Sequence, residues 1–105
     1  RTIIFWRDIP SQVIVKQGRI TVRVKLSERF MEAIDKAAMR AGRQGSKEYL
    51  EDWRREIEPF QGDVQMIADS TARELEAHFS DDILQILIKN KGIDRIRNSE
   101  DMESE

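Results

Sequence analysis

The chain has 105 residues, of which 39% are hydrophobic and 36% are charged, and its formal net charge is -2. This length fits one domain, and the composition is too apolar for a disordered chain and too charged for a membrane-embedded one. The sequence contains no cysteine and a single histidine. Disulfides, thiolate-held metals, cysteine nucleophiles and most histidine-based catalytic sites are therefore excluded for this chain.

The small net charge conceals a polarity along the chain. Residues 1–25 carry six basic side chains and one acidic side chain, a sum of +5. Residues 61–105 carry five basic and eleven acidic side chains, a sum of -6. Such a polarity is typical of a basic docking surface, and equally of two ends of a fold that attract each other. The sequence leaves both interpretations open.

The N-terminal quarter predicts three antiparallel strands in a meander. Residues 2–6 are β-branched and aromatic and end at a proline-containing turn, and residues 13–15 form a second apolar run. Gly18 suits the left-handed position of the hairpin loop that follows. Residues 20–26 then alternate between apolar and polar side chains, as a half-buried strand does.

The remainder predicts helices from their start and stop signals. These signals are Ser27 and Gly42 for the first helix, Ser46 and Pro59 for the second, Asp63 as the start of the third, and Ser80 or Asp81 with Gly92 for the fourth. In the second of these helices, Leu50, Trp53 and Ile57 share one face. We therefore expect one α+β domain over residues 1–92, with a three-stranded antiparallel meander packed against three to four helices. Residues 93–105 form an acidic C-terminal tail.

Period-two geometry divides the predicted sheet into a face toward the helices and a second face. The second face is predicted to be apolar in the first two strands and basic in the third, with Trp6 as an anchor. We expect a larger protein to dock there. The alternative is that the acidic C-terminal segment or a second copy of the chain covers it. The predicted partner-binding residues are Ile4, Trp6, Arg7, Asp8, Pro10, Ile14, Arg23 and Lys25.

Two residue pairs are candidates for chemistry. Arg7 and Asp8 are polar residues at a turn, which suits a catalytic pair but also a turn cap or a surface ion pair. His78 and Asp82 have the i, i+4 spacing of two metal ligands, although two ligands alone do not define a site. We therefore expect no catalytic residues, no metal and no other cofactor.

A nucleic-acid interface is a further alternative. Phe5 and Trp6 could stack on bases, with Arg7 and Arg23 beside them to contact phosphates. The acidic second half of the chain argues against this interpretation.

Six segments together form a family signature. They are residues 2–10 (TIIFWRDIP), 12–16 (QVIVK), 26–30 (LSERF), 33–35 (AID), 38–40 (AMR) and 49–55 (YLxxWRR). Through them the chain resembles the small bacterial virulence-factor domain, which is related to the domain of the conserved virulence factor C proteins. The resemblance covers residues 2–90 and brings no catalytic residues with it.

The resemblance implies an accessory role. In that family the domain occurs alone in alphaproteobacteria or within longer chains, and the stand-alone form is often encoded near corrinoid- and folate-dependent methyltransferase components. We expect a non-catalytic interaction protein, with an accessory subunit of methyl transfer in methionine synthesis as the alternative. We also expect a cytoplasmic location, because neither a signal peptide nor a membrane-spanning run is visible.

Overall fold

A computed structural model of the chain describes residues 1–95. Its strands are β1 Thr2–Trp6, β2 Ile9–Gln17, β3 Ile20–Lys25 and β4 Trp53–Ile57. Its helices are α1 Glu28–Arg40, α2 Lys47–Glu51, α3 Val64–His78 and α4 Asp81–Lys89. The strands form one antiparallel sheet in the order β3-β2-β1-β4, so the predicted α+β fold class is confirmed. Most of the predicted acidic tail, residues 96–105, lies outside the described residues.

Strands β1, β2 and β3 form the predicted meander. A two-residue turn connects β1 to β2, and Gly18 has a φ of 60° in the β2–β3 turn, which is the left-handed conformation predicted for it. The β1–β2 ladder shifts register between Ile4 and Phe5, because Ser11 is an extra residue on β2. The shift is a β-bulge, which changes the local twist of the hairpin.

The segment after α1 differs from the prediction. In place of one helix between Ser46 and Pro59, the short helix α2 is followed by strand β4. β4 pairs antiparallel with β1, and Trp53 lies opposite Trp6. Without β4, one side of β1 would present a row of unbonded backbone groups, and pairing satisfies them. The sheet therefore has four strands, where the sequence predicted three.

The start of α1 is fixed against α3. Ser27 precedes α1 as predicted, but its N–H and hydroxyl donate to the Glu76 carboxylate of α3 at 2.7 and 2.8 Å. Arg29 donates to the same carboxylate at 3.0 Å. Partial burial raises the pKa of Glu76, but the hydrogen bonds from Ser27 and Arg29 outweigh this effect and hold the pKa below its ordinary value of 4.5.

The ends of the later helices follow the predicted signals. The side chains of Asp63 and Ser80 cap α3 and α4 by accepting hydrogen bonds from backbone N–H groups of the first turn, at 3.0 and 3.3 Å. Gly92, beyond α4, has a φ of 84°. A Cβ atom at this position would lie 2.9 Å from Cζ3 of Trp6, so both the backbone conformation and the indole require glycine here.

The core lies between one side of the sheet and the helices. Helix α3 packs on β2 and β3, and α1 packs on β2 and on α4. From the strands, Val13 and Val15 are fully buried, and Val22 and Val24 pack against the same cluster. The helices contribute Phe30, Ala33, Ile34, Ala37, Ala38, Val64, Ala68, Ala72, Leu84, Leu87 and Ile88. Because this packing involves one side of β2 and β3, it leaves their other side for a different role.

Candidate functional site

One face of the sheet is turned away from the core valines. Residues directly opposite each other in neighbouring antiparallel strands share a face, so the registers define two rows across all four strands. The rows are Arg23, Ile14, Thr2 and Ile57, and Lys25, Gln12, Ile4 and Arg55. These residues are called the open sheet face below. Along β2 and β3 they alternate with the valines of the core, and therefore point to the opposite side.

A shallow hollow of about 310 Å³ lies in the open sheet face. Its lining residues are Ile4, Gln12, Trp53, Arg54 and Arg55. Ile4 is half-buried, and Ile57 in the neighbouring row is 76% exposed. Apolar side chains are thus accessible on this face, with polar groups beside them. An apolar hollow with a polar rim is typical of a protein docking surface.

The charges of the open sheet face are all positive. Arg23, Lys25 and Arg55 are exposed, and none of them forms an ion pair with another side chain of residues 1–95. Arg54 differs, since its guanidinium donates to the Asp8 carboxylate at 3.1 Å. The two rows contain no acidic residue. The face therefore presents three cations that carboxylates from outside the described chain could neutralise.

Trp6, the predicted anchor of this face, lies in the core. Its side chain is fully buried, its indole N–H donates to the Tyr49 carbonyl at 3.0 Å, and its ring stacks on the Tyr49 ring at 5.8 Å. The prediction extended the alternation from Ile4 to Trp6 across the point where the β1–β2 ladder shifts register. Pro10 is also fully buried, and Ile14 is 9% exposed. Trp6 and Pro10 thus support the face from within the fold.

The aromatic pair considered for base stacking is likewise inaccessible. Phe5 is 8% exposed, and the Arg54 guanidinium carbon lies 4.3 Å from its ring centroid. Trp6 is covered by Tyr49. The arrangement places arginine over buried aromatic rings, which stabilises the sheet through cation–π contacts.

Arg7 and Asp8 form the tight turn between β1 and β2. Arg7 has a φ of 54°, in the left-handed region that favours glycine, so its backbone is strained. Its guanidinium donates to the Asp52 carboxylate at 3.2 Å and to the Lys91 carbonyl at 2.9 Å. It also lies 5.1 Å from the ring centroid of Trp6. These contacts hold the strained residue in place.

Asp8 is bonded on both sides of the turn. Its carboxylate accepts from Arg54 at 3.1 Å and from the Asp94 N–H at 2.6 Å, and its own N–H donates to the Gly92 carbonyl at 2.9 Å. Arg54 additionally donates to the Arg7 carbonyl at 2.6 Å. The turn therefore connects the β1–β2 hairpin to β4 and to the residues that follow α4. Arg7 and Asp8 are brought together, in a structural network of hydrogen bonds and ion pairs.

The open sheet face and its scaffold lie within a recognised sequence family. The family model described as Virulence factor matches residues 4–88, from β1 through α4. The chain belongs to the virulence factor family. This confirms the family predicted from the sequence, while searches of curated proteins and of solved structures find no match. The virulence factor match includes every residue of the open sheet face except Thr2.

Sequence reasoning on this virulence factor domain missed half of the open sheet face. The missed residues are Thr2, Gln12, Arg55 and Ile57. Thr2 and Gln12 were not predicted because they are polar, whereas the face was assigned in β1 and β2 from apolar residues. Arg55 and Ile57 lie in the segment that was predicted to be a helix, because Leu50, Trp53 and Ile57 have helical spacing.

His78 and Asp82, the pair with the i, i+4 spacing of two metal ligands, lie where α3 meets α4. His78 is exposed and packs edge-on against Phe79 at 4.9 Å, whereas Asp82 lies in the first turn of α4. Within residues 1–95, no three His, Asp or Glu side chains are grouped closely enough to hold a metal ion. Over the same range, the helices are too short or too polar to cross a membrane.

Proposed function

We propose that this virulence factor domain is a non-catalytic interaction module that docks onto a larger protein through its open sheet face. The observation that carries the proposal is the set of three exposed cations, Arg23, Lys25 and Arg55, on a face that has an apolar hollow and no acidic residue. Exposed like charges repel each other, so a fold gains nothing from grouping them. A complementary partner gains both affinity and faster association from the same grouping.

The hollow indicates the chemistry of the partner. It is shallow and open on one side, and its volume of about 310 Å³ is at the lower end of the range for small-molecule sites. A projecting apolar side chain would cover Ile4, and carboxylates around it would meet Arg23, Lys25 and Arg55. We therefore propose a protein surface with an apolar residue inside an acidic ring. A methyltransferase component is the partner class suggested by the family resemblance.

The turn residues support the non-catalytic assignment. A general acid or base needs a group that can reach a substrate, with its proton available for transfer. The Arg7 guanidinium and the Asp8 carboxylate instead bond to Asp52, Arg54 and backbone groups within the fold. Arg7 and Asp8 therefore suit a structural role, in which they hold the β1–β2 turn beside the open sheet face.

The proposal is tested by comparing two variants of the same charge in affinity capture from native bacterial lysate. The face variant combines Arg23→Ala, Lys25→Ala and Arg55→Ala. The matched control combines Lys36→Ala, Arg40→Ala and Lys89→Ala, which are exposed residues of α1 and α4. Quantitative mass spectrometry should show proteins that the wild type and the control retain equally, and that the face variant retains about tenfold less, since three rim charges are lost.

Two results would overturn the proposal. One is a face variant that captures the same proteins in the same amounts as the wild type. The other is a capture that disappears after nuclease treatment, because the ligand would then be nucleic acid. Thermal unfolding of both variants serves as the control for folding, and we expect transitions close to that of the wild type because all six side chains are exposed.

A further inference from the structure

Strand β3 forms one edge of the sheet, and alternate residues along it direct their backbone groups outward. The Leu26 N–H donates to the Ser11 carbonyl at 3.0 Å, and one-for-one pairing continues from there along β2 and β3. Because hydrogen-bonded pairs alternate along an antiparallel ladder, Val24 and Val22 are the next residues bonded to β2. The residues whose N–H and C=O groups point away from the sheet are therefore Thr21, Arg23 and Lys25.

This outer edge of β3 is accessible. All three outward residues are exposed, and over residues 1–95 no backbone group outside the sheet bonds to them. An edge of this kind can accept an extended segment as a further strand. In that mode of recognition, main-chain hydrogen bonds supply affinity and the side chains that alternate along the edge supply selectivity.

The two sides of β3 differ in chemistry. Arg23 and Lys25 lie on the open sheet face, and neither forms an ion pair with a side chain of residues 1–95. On the other side, Ile20 is 60% exposed, and Val22 and Val24 are half-buried. Directly opposite residues of an antiparallel pair share a face, so the edge matches a strand in which acidic and apolar residues alternate.

We propose that the outer edge of β3 binds an extended acidic segment of the docking partner as an antiparallel fifth strand. Carboxylates of the segment lie opposite Arg23 and Lys25, and apolar side chains lie opposite Val22 and Val24. The inference rests on the proposed function, because it names the part of the larger protein that docks. The hollow is lined by residues of β1, β2 and β4, so it remains free for a separate contact of the same partner.

Charge favours an acidic strand over pairing between two copies of this chain. If two β3 edges paired antiparallel, the outward residues of one copy would lie opposite those of the other. Arg23 and Lys25 would then be brought close to the same cations, and like charges on opposed strands are destabilising. Charged side chains on an edge strand also protect against edge-to-edge association. The two cations therefore discourage self-association and select a strand of the opposite charge.

A synthetic peptide tests the proposal without the unidentified partner. The probe is a short peptide with blocked ends in which Glu alternates with Val, and its control has the same composition with all Glu residues adjacent. At pH 7 and about 0.1 M salt, we expect the alternating peptide to bind about tenfold more tightly, since only its carboxylates match the cations while its backbone pairs with β3.

Amide hydrogen exchange locates the bound peptide. Saturation with the alternating peptide should slow exchange of the Thr21, Arg23 and Lys25 amides about tenfold or more, because each gains a hydrogen bond. The amides of Val22 and Val24 already bond to β2, so their exchange should not change.

Backbone methylation separates strand addition from general charge attraction. In the antiparallel arrangement, the N–H groups of the Glu residues point at β3, and those of the Val residues point away. N-methylation of the Glu residues should therefore weaken binding about tenfold or more, because it removes the main-chain donors. N-methylation of the Val residues leaves charge and donors in place, and the affinity should stay close to that of the unmodified peptide.

Variants of the protein identify the cations. Arg23→Ala with Lys25→Ala should weaken binding of the alternating peptide about tenfold, whereas the control Lys36→Ala with Arg40→Ala removes the same charge from exposed positions on α1 and should bind like the wild type. Arg55→Ala is a second control. β4 lies at the opposite edge of the sheet, roughly 14 Å from β3, so this variant should also bind the peptide like the wild type.

Three results would overturn the proposal. The first is an alternating peptide that does not bind, or that binds no better than its control. The second is an equal loss of affinity when either set of residues is methylated. The third is slow exchange of the three outward amides in the protein alone, which would show that the edge is already paired within the chain or between copies. None of these measurements contains the partner, so failure here leaves docking through the open sheet face standing, and failure of the lysate capture would leave the peptide result unchanged.

Discussion

Arg7 is the residue at which local backbone preference and tertiary structure conflict. Its φ of 54° is a conformation that costs a non-glycine residue roughly 1–2 kcal/mol. The cost is offset by the bonds of its side chain to Asp52 and Lys91 and by the hydrogen bond that its carbonyl accepts from Arg54. The Trp6-Arg7-Asp8 segment is therefore an over-determined turn, held by contacts from β4 and from the chain after α4.

This conflict predicts an unusual order of stability for two truncations. Arg7→Ala and Arg7→Gly lose the same side-chain bonds, but only glycine relieves the strain. We expect Arg7→Gly to be more stable than Arg7→Ala by about 0.5–1 kcal/mol in urea unfolding. At Lys25, in an extended strand, the order should be reversed. An alanine variant at position 7 as stable as the glycine variant would contradict the strained turn.

Glu76 links the start of α1 to α3 and makes the free energy of unfolding depend on pH. Its pKa is lowered in the folded chain, so its contribution is complete above the unfolded value and is lost as pH falls through the folded value. We expect Glu76→Gln to cost roughly 0.5–1 kcal/mol at pH 7, because the carboxylate is partly exposed. The cost should remain constant down to about pH 5 and shrink below the ordinary value of 4.5.

Urea unfolding of the wild type and Glu76→Gln from pH 7 to pH 3 checks this dependence. Glu74→Gln is the matched control, since Glu74 lies on the same helix with an exposed side chain. A difference between wild type and Glu76→Gln that persists unchanged at pH 3 would show that the carboxylate's charge does not contribute.

At the scale of elements, the sequence predicted β1, β2, β3, α1 and the caps of α3 and α4 because each has a local signal. The signal is an apolar or alternating run within the element, or a turn glycine or capping side chain directly beside it. β4 has no comparable local signal: Leu50, Trp53 and Ile57 match a helical spacing, and the five residues of β4 are too few to favour period two. Residues 53–57 form a strand because the free side of β1 can pair with them. The local sequence of the segment does not contain this tertiary information.

The burial of Trp6 is the second difference from the prediction. Alternation correctly placed Ile4, Ile14, Arg23 and Lys25 on one face, but it does not predict which side chains near the β1–β2 turn are covered by other elements. The position of Trp6 depends on Tyr49 and Gly92, which are distant in sequence. The candidate site was therefore predictable in the regular part of the sheet and not at its turn.

The assignment of β4 as a strand predicts an alternating pattern of amide exchange. The Glu58 N–H donates to the Arg1 carbonyl, and the Arg7 N–H to the Asp52 carbonyl, so Arg54 and Glu56 are the residues bonded to β1 between them. We expect slow exchange at Arg54 and Glu56, and fast exchange at Arg55 and Ile57. Uniform protection across residues 54–57 would instead indicate the helix predicted from the sequence.

At the scale of the whole molecule, the charge polarity of the sequence is largely retained in the fold. Within residues 1–95, two basic side chains of the first quarter form ion pairs, Arg1 with Glu58 and Arg7 with Asp52, and both partners lie before residue 61. Glu76 of α3 and Asp81 of α4 pair with Arg29 of α1 instead. The positive charge of the open sheet face is therefore not neutralised by the helical half, and it remains available for an acidic ligand.

Site-specific photocrosslinking in cells tests the central claim most directly. A benzophenone amino acid would replace Gln12 in the hollow of the open sheet face or, as the control, Gln85 on the exposed side of α4. If this face is the docking surface, irradiation should give an adduct with a larger protein from position 12 and not from position 85. The adduct should weaken when Arg23→Ala, Lys25→Ala and Arg55→Ala are added. An adduct formed from position 85 alone, or one from position 12 that is indifferent to the three substitutions, would contradict it.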